Sequence, residues 1–225
     1  MKMLGFHLVL PFAPFEKQME AIPLPFNSQT ILSNTDWNPS MPIFPTSAPK
    51  TEESNIHREP IANAQWEAIL TSLDQQLQSL PATHLTEARR LALRIRENLA
   101  WLDGHMTEHC RATCSGCEDP CCTGLKVFFN RADLLYILAS GEETPPGQTR
   151  EHATGACRYL TPSGCTLPRT RRPYVCVWFL CDPQMELLQR EPPAFQRRFI
   201  GALQDIRICR LQLETLHEAN TGPST

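Results

Sequence analysis

The stretch from Asn63 to Gly104, NAQWEAILTSLDQQLQSLPATHLTEARRLALRIRENLAWLDG, decides the fold class. Trp66, Ile69, Leu70, Leu73, Leu77 and Leu80 recur at three- and four-residue steps and fall on one stripe of a helix, which Pro81 ends. After Pro-Ala-Thr-His, the residues Leu85, Ala88, Ala92, Ile95, Leu99 and Leu102 repeat the pattern as far as Gly104. Glu87, Arg89, Arg90, Arg94 and Arg96 occupy the other faces. Mixed charge opposite an apolar stripe reads as solvated surface rather than a grip for acidic ligands. So short a connection predicts that the two helices pack antiparallel.

Downstream, Leu125-Lys-Val-Phe-Phe129 is short, partly β-branched and aromatic, and reads as a strand. Asn130 stands where an N-cap belongs, with Asp133 three residues on, and the apolar run Leu134, Leu135, Ile137 and Leu138 predicts a short helix ending at Gly141. The following GEETPPGQTR reads as a surface loop. From Ala194 to Ala219, Phe195, Phe199, Leu203, Ile206 and Leu213 predict a closing helix on which Cys209 is core filler. Upstream, residues 1–60 hold nine prolines, a single glycine and no cysteine, and show neither period, so they read as a disordered tail. The expected fold is mainly α, with a small irregular cysteine-rich module at 110–181, little β, one helical domain at 61–219 and a second tail at 220–225.

The 225 residues carry 21 basic and 24 acidic side chains, a balance that gives no overall attraction to phosphate backbones or anionic membranes. No apolar run approaches the roughly 18 residues that span a bilayer. Neither nucleic acid nor membrane is therefore an expected partner. The opening MKMLGFHLVLPFAPF has one lysine and a short apolar run, but His7 and Pro11 interrupt it and no small-x-small cleavage site precedes Glu16 and Glu20. Translation from Met19 or Met41 is an equal reading of this start. Without an export signal the expected compartment is the reducing cytoplasm, where cysteines stay as thiols.

Nine of the ten cysteines lie in two blocks: Cys110-Arg-Ala-Thr-Cys114-Ser-Gly-Cys117-Glu-Asp-Pro-Cys121-Cys122, then Cys157, Cys165, Cys176 and Cys181. Thiolates two residues apart on a tight turn can face one cation, and Ser115, Gly116, Asp119 and Pro120 favour such turns. A four-thiolate zinc site bears a formal charge of about −2, and four-thiolate iron–sulfur clusters are commonly anionic too. Arg111, Lys126, Arg158, Arg169, Arg171 and Arg172 flank the cysteines and are expected to offset that charge. A disulfide scaffold is the competing reading, opposed by the missing export signal and the adjacent Cys121–Cys122 pair. The string Cys110-x3-Cys114-x2-Cys117 also matches the cluster motif of radical S-adenosylmethionine enzymes, but the chain after it lacks the repeated βα alternation of their barrel. His105 and His109 lie four apart before Cys110; a mixed His/Cys site is open to them, and solvated ends of a helix are the simpler reading.

The two blocks together resemble the YkgJ-like cysteine-cluster family, described as zinc- or iron-chelating domains, over roughly residues 114–179. The family signature C-x2-C-x2-C-C is similar to Cys114-Ser-Gly-Cys117-Glu-Asp-Pro-Cys121-Cys122, with one extra residue before the vicinal pair. A second signature resembles Cys157-Arg-Tyr-Leu, Cys165-Thr-Leu-Pro-Arg-Thr-Arg-Arg-Pro-Tyr-Val-Cys176 and Phe179, again with one extra residue, between Pro168 and Arg172. The resemblance implies metal ligands among Cys114, Cys117, Cys121, Cys122, Cys157, Cys165 and Cys176, with Arg172 and Pro173 shaping the turn that presents Cys176. Cys110 and Cys181 fall outside that pattern and are candidates for a second site, since nine thiols exceed the need of one four-ligand ion. Related sequences include flagellin lysine methylases.

These observations predict a metal-binding protein holding zinc or an iron–sulfur cluster, with metal ion as its one foreseeable partner. The rivals are a redox or protein-modifying, methylase-like enzyme and a metal-delivery protein. No Ser–His–Asp set, phosphate loop or dinucleotide fingerprint supports an enzyme of another kind.

Overall fold

A computed structural model describes residues 62–221 apart from 115, 119, 124–126, 153, 154 and 163. The expected tail at 1–60 lies outside the described residues. The rest is mainly α-helical: α1 (Asn63–Gln78), α2 (Ala82–Cys114), α3 (Arg131–Ser140), a hairpin of β1 (Leu160–Thr161) and β2 (Gly164–Cys165), then α4 (Val175–Trp178), α5 (Asp182–Arg190) and α6 (Pro193–Thr221), with 3-10 turns at Cys121–Thr123 and Arg169–Arg171.

The core forms where α2 and α6 lie along one another and α3 wedges against both. Ala88, Leu91, Ala92, Ile95, Leu99, Leu102 and Met106 of α2 and Phe199, Ala202, Ile206, Cys209 and Leu213 of α6 are buried together. Cys209 is thus core filler, and burial pushes its thiol up to about 11. On α3 even Arg131 and Asp133 are buried, as befits a helix with no polar face at the centre of a fold. Asn130 and Asp133 close a reciprocal capping box at its start, and Gly141 ends it at φ 70°, a left-handed turn that glycine adopts without strain.

Five expectations are corrected. The helix after Pro81 does not stop at Gly104 but continues to Cys114, so the first two cysteines of the module are helical. One interior glycine costs only about 1 kcal/mol, and Met106 and His109 keep the buried stripe going beyond it. Nor do α1 and α2 form a side-by-side hairpin; α1 packs chiefly on α3 and touches α6. Its anchor is Trp66, which is buried, donates Nε1–H to Pro145 O at 2.8 Å and stands 5.8 Å from the Phe129 ring.

Residues 127–129 do not pair as a strand, and residues 125 and 126 lie outside the described residues. Their backbone is satisfied by side chains instead. Gln148 accepts from Phe129 N at 2.6 Å and donates to Phe129 O at 2.9 Å, while Thr149 Oγ1 donates to Val127 O at 2.5 Å. The segment 145–150, expected on the surface, is accordingly largely buried, with Gln148 and Thr149 at 2% and 1% exposure. Finally, the last helix runs to Thr221, past the expected start of a tail at 220; residues 222–225 lie outside the described residues. Among the described residues no helix is long and apolar enough to cross a membrane.

His217 of α6 is fully buried; Arg131 Nη2 donates to its Nδ1 at 2.6 Å and Arg131 Nη1 meets Glu218 at 3.3 Å. Burial, and then the Arg131 charge, push the imidazole pKa down to about 4. The folded ring is neutral where the unfolded one would bind a proton. This contribution is therefore complete above about pH 6.5 and lost as pH falls toward 4. Urea midpoints should decline from pH 7 to pH 4.5, and His217→Gln, which keeps an acceptor for Arg131, should flatten that decline. An identical slope in the variant would show that other groups set it.

Candidate metal centre

The cysteine module is assembled from segments that reach the same end of the helical frame. Cys110 and Cys114 are one turn apart on the last turns of α2 and so share a face. Cys117 N–H donates back to Cys114 O at 3.2 Å, turning the chain toward the 3-10 turn that holds Cys121 and Cys122. Cys122 O accepts from Cys157 N at 3.3 Å, which stitches the first block to the second. The β1–β2 hairpin pairs Leu160 with Cys165 and places Cys165 close to Cys157; its turn needs Gly164, at φ 111°.

Cys176 sits on α4, and Cys176 N–H donates to Pro173 O at 2.9 Å. Just ahead of it, Arg172 Nε donates to Leu167 O at 2.8 Å. That turn is fixed from below by the core: Asp133 Oδ1 accepts Tyr174 N–H at 2.9 Å and Arg210 Nη1 at 2.5 Å. Arg210 also donates to Asn130 Oδ1 at 2.9 Å and lies 4.8 Å over the Tyr174 ring, whose hydroxyl donates to Leu203 O. Cys181 is the N-cap residue of α5, and its carbonyl accepts the first helical N–H, from Met185, at 2.9 Å.

The thiols fall into two neighbourhoods. Burial raises Cys176, and Cys122, Cys157 and Cys165 raise it further by their charge. Burial likewise raises Cys157, with Cys165 and Cys122 adding to it. Cys114, raised by burial, is pushed the same way by Cys110 and Cys181. Cys121 joins the two: its thiol is raised first by its interaction with Cys122, then by burial, and it feels both Cys114 and Cys176. The same interaction, helped by Arg172, draws the Cys122 thiol down, so Cys122 is the more acidic of the vicinal pair. Cys117 is exposed at the rim.

All ten cysteines are free thiols, and among the described residues no three His, Cys, Asp or Glu side chains already stand in a metal-coordinating arrangement. Most of the flanking arginines serve other partners: Arg158 pairs with Glu151, Arg169 with Asp103 at 2.9 Å, and Arg171 with Glu143 at 2.5 Å. Arg172 lowers the Cys122 thiol and Arg150 the Cys157 thiol by their charge; Lys126 lies outside the described residues. The two histidines are not solvated at a helix end. His105 packs edge-on to Phe195 at 4.6 Å, and His109 is buried.

Sequence patterns did not single out Gln184. It is only 5% exposed, and its Nε2 donates to Cys110 Sγ at 3.5 Å and Cys114 Sγ at 3.8 Å. Its sole local signal is its place three residues after Cys181, on the first turn of a helix. No family model, curated protein or solved structure matches the chain.

Asp133 is 3% exposed, so its removal strands the Arg210 cation and frees Tyr174 N–H inside the protein. Asp133→Ala should cost about 3–5 kcal/mol, the range for breaking one half of a buried pair, as read from urea unfolding. A loss under about 1 kcal/mol would mean that the turn before Cys176 is held otherwise.

Proposed function

We propose that the chain is a metal-binding protein in which Cys122, Cys157, Cys165 and Cys176 take up a zinc ion or an iron–sulfur cluster. The observation that carries this reading is convergence: Cys122 O accepts from Cys157 N, and Cys122, Cys157 and Cys165 all lie within electrostatic reach of the buried Cys176, although up to 54 positions separate them. A hydrophobic core has no need to bring four polarizable, ionisable sulfurs together, whereas a thiophilic cation does. The resemblance of both cysteine blocks to zinc- or iron-chelating domains supports the same reading.

The donor set suits the group. Soft thiolates select zinc or iron–sulfur clusters over magnesium and calcium, and Arg172 together with backbone amides of the turns offsets part of the negative charge. Cys122, the more acidic of the vicinal pair, would hold the ion together with Cys157, Cys165 and Cys176, each thiol releasing its proton to solvent on binding. Zinc would supply a structural clasp between the hairpin, α4 and the Cys122 turn; a cluster would supply one-electron chemistry at the same place. The chain's own contribution is to hold Cys176 through Pro173, Tyr174 and Asp133, and Cys165 through the Gly164 turn.

Anaerobic purification of the full chain, elemental analysis and an absorption spectrum test this. Bound zinc without colour, or iron and sulfide with a broad band near about 400 nm, are the two supporting results. Cys165→Ser and Cys176→Ser should each abolish binding at this centre, while Cys209→Ser leaves metal content unchanged. A chain that purifies without metal and takes up neither zinc nor iron under reducing conditions would refute the proposal.

A further inference from the structure

Resting on that reading, and going beyond it, we infer that Cys110, Cys114 and Cys181, with Cys121 as the fourth sulfur, form a second and separate metal centre braced by Gln184. Its frame is the meeting of two helix ends. Cys110 and Cys114 lie on the C-terminal turns of α2, and Cys181 caps the N-terminus of α5. Carbonyls make the end of α2 partly negative, so two thiolates there are unfavourable without a facing donor or cation. The N-terminus of α5 is partly positive and supplies one such partner at Cys181.

Gln184 supplies the other. A buried amide almost always finds a partner, and this one spends its N–H donors on two sulfurs, which are weak acceptors as thiols and much stronger ones as thiolates. Such a side chain is the hydrogen-bonding support that metal-bound ligands require. Cys121 is the next sulfur the chain offers: the turn in which Cys117 N–H donates to Cys114 O leads from the end of α2 into the 3-10 turn that carries it. The vicinal pair thereby links the centres through one peptide bond, and Cys117, exposed at the rim, is left outside both.

On binding, each thiol exchanges its S–H bond for a metal–sulfur bond and gives its proton to solvent; no oxidant or reductant is needed. The full chain, purified anaerobically and equilibrated with zinc(II), should hold two equivalents. Cys110→Ser/Cys181→Ser should hold one, a twofold loss, and Cys157→Ser/Cys165→Ser should hold the other. Wild-type zinc content in Cys110→Ser/Cys181→Ser would overturn the second centre and leave the first standing; a wild-type chain that takes up no zinc would overturn both. Should the double variants fail to fold, Gln184→Leu leaves every thiol in place: transfer of one equivalent to a competing chelator should quicken about tenfold while the other is unchanged. Identical release of both equivalents in wild type and Gln184→Leu would also overturn it.

Discussion

The Asp133 carboxylate is the constraint on which the rest of the structure depends. It belongs to the first turn of the most buried helix, caps that helix, neutralises Arg210 from α6 and accepts the Tyr174 amide that leads into Cys176. A buried ion pair adds little net stability compared with an apolar pair, but it tolerates few alternative arrangements, because any shift leaves a charge unpaired. Here that intolerance fixes a cysteine-bearing loop to a hydrophobic core. The core and the thiols therefore share one register.

The same logic runs through the irregular half of the molecule. Gln148 and Thr149 replace a missing strand partner for Val127 and Phe129, Tyr159 donates to Gly147 O, and Trp66 donates to Pro145 O. Side chains take over the hydrogen bonding that a sheet would otherwise provide, so backbone groups of Val127, Phe129, Pro145 and Gly147 find partners in a segment with almost no regular structure. A small chain region crowded with sulfur can be ordered this way before any ligand arrives.

The helical frame was legible because an apolar stripe of period 3.6 is a local signal: Trp66 to Leu80, Leu85 to Leu102 and Phe195 to Leu213 all face the interior to the extent that the stripe foretells. The Asn130–Asp133 cap and the Gly141 stop were legible for the same reason, since each is decided within four residues. What escaped was non-local. Glycine and polar residues hid the continuation of α2 beyond Gly104; Gln148 looked like loop until its two backbone partners 19 residues away were known. Asp133 and Arg210, 77 positions apart, give no local pattern at all. For the site, spacing exposed the nine candidate sulfurs but not their division between two neighbourhoods, which depends on which face of a helix or turn each one leaves.

One consequence of the length of α2 concerns mechanics. Its 33 residues form a rod of about 50 Å, at about 1.5 Å per residue, whose early turns are gripped by α6 and whose last turns carry Cys110 and Cys114. Gly104, the weakest helix former along it, is held on both sides, since His105 packs on Phe195 of α6 and Met106 and His109 are buried beyond it. The sulfur end therefore has no loose hinge behind it: packing runs straight through the glycine, and the two helical cysteines are carried by the body of the protein as a lever is carried by its fulcrum.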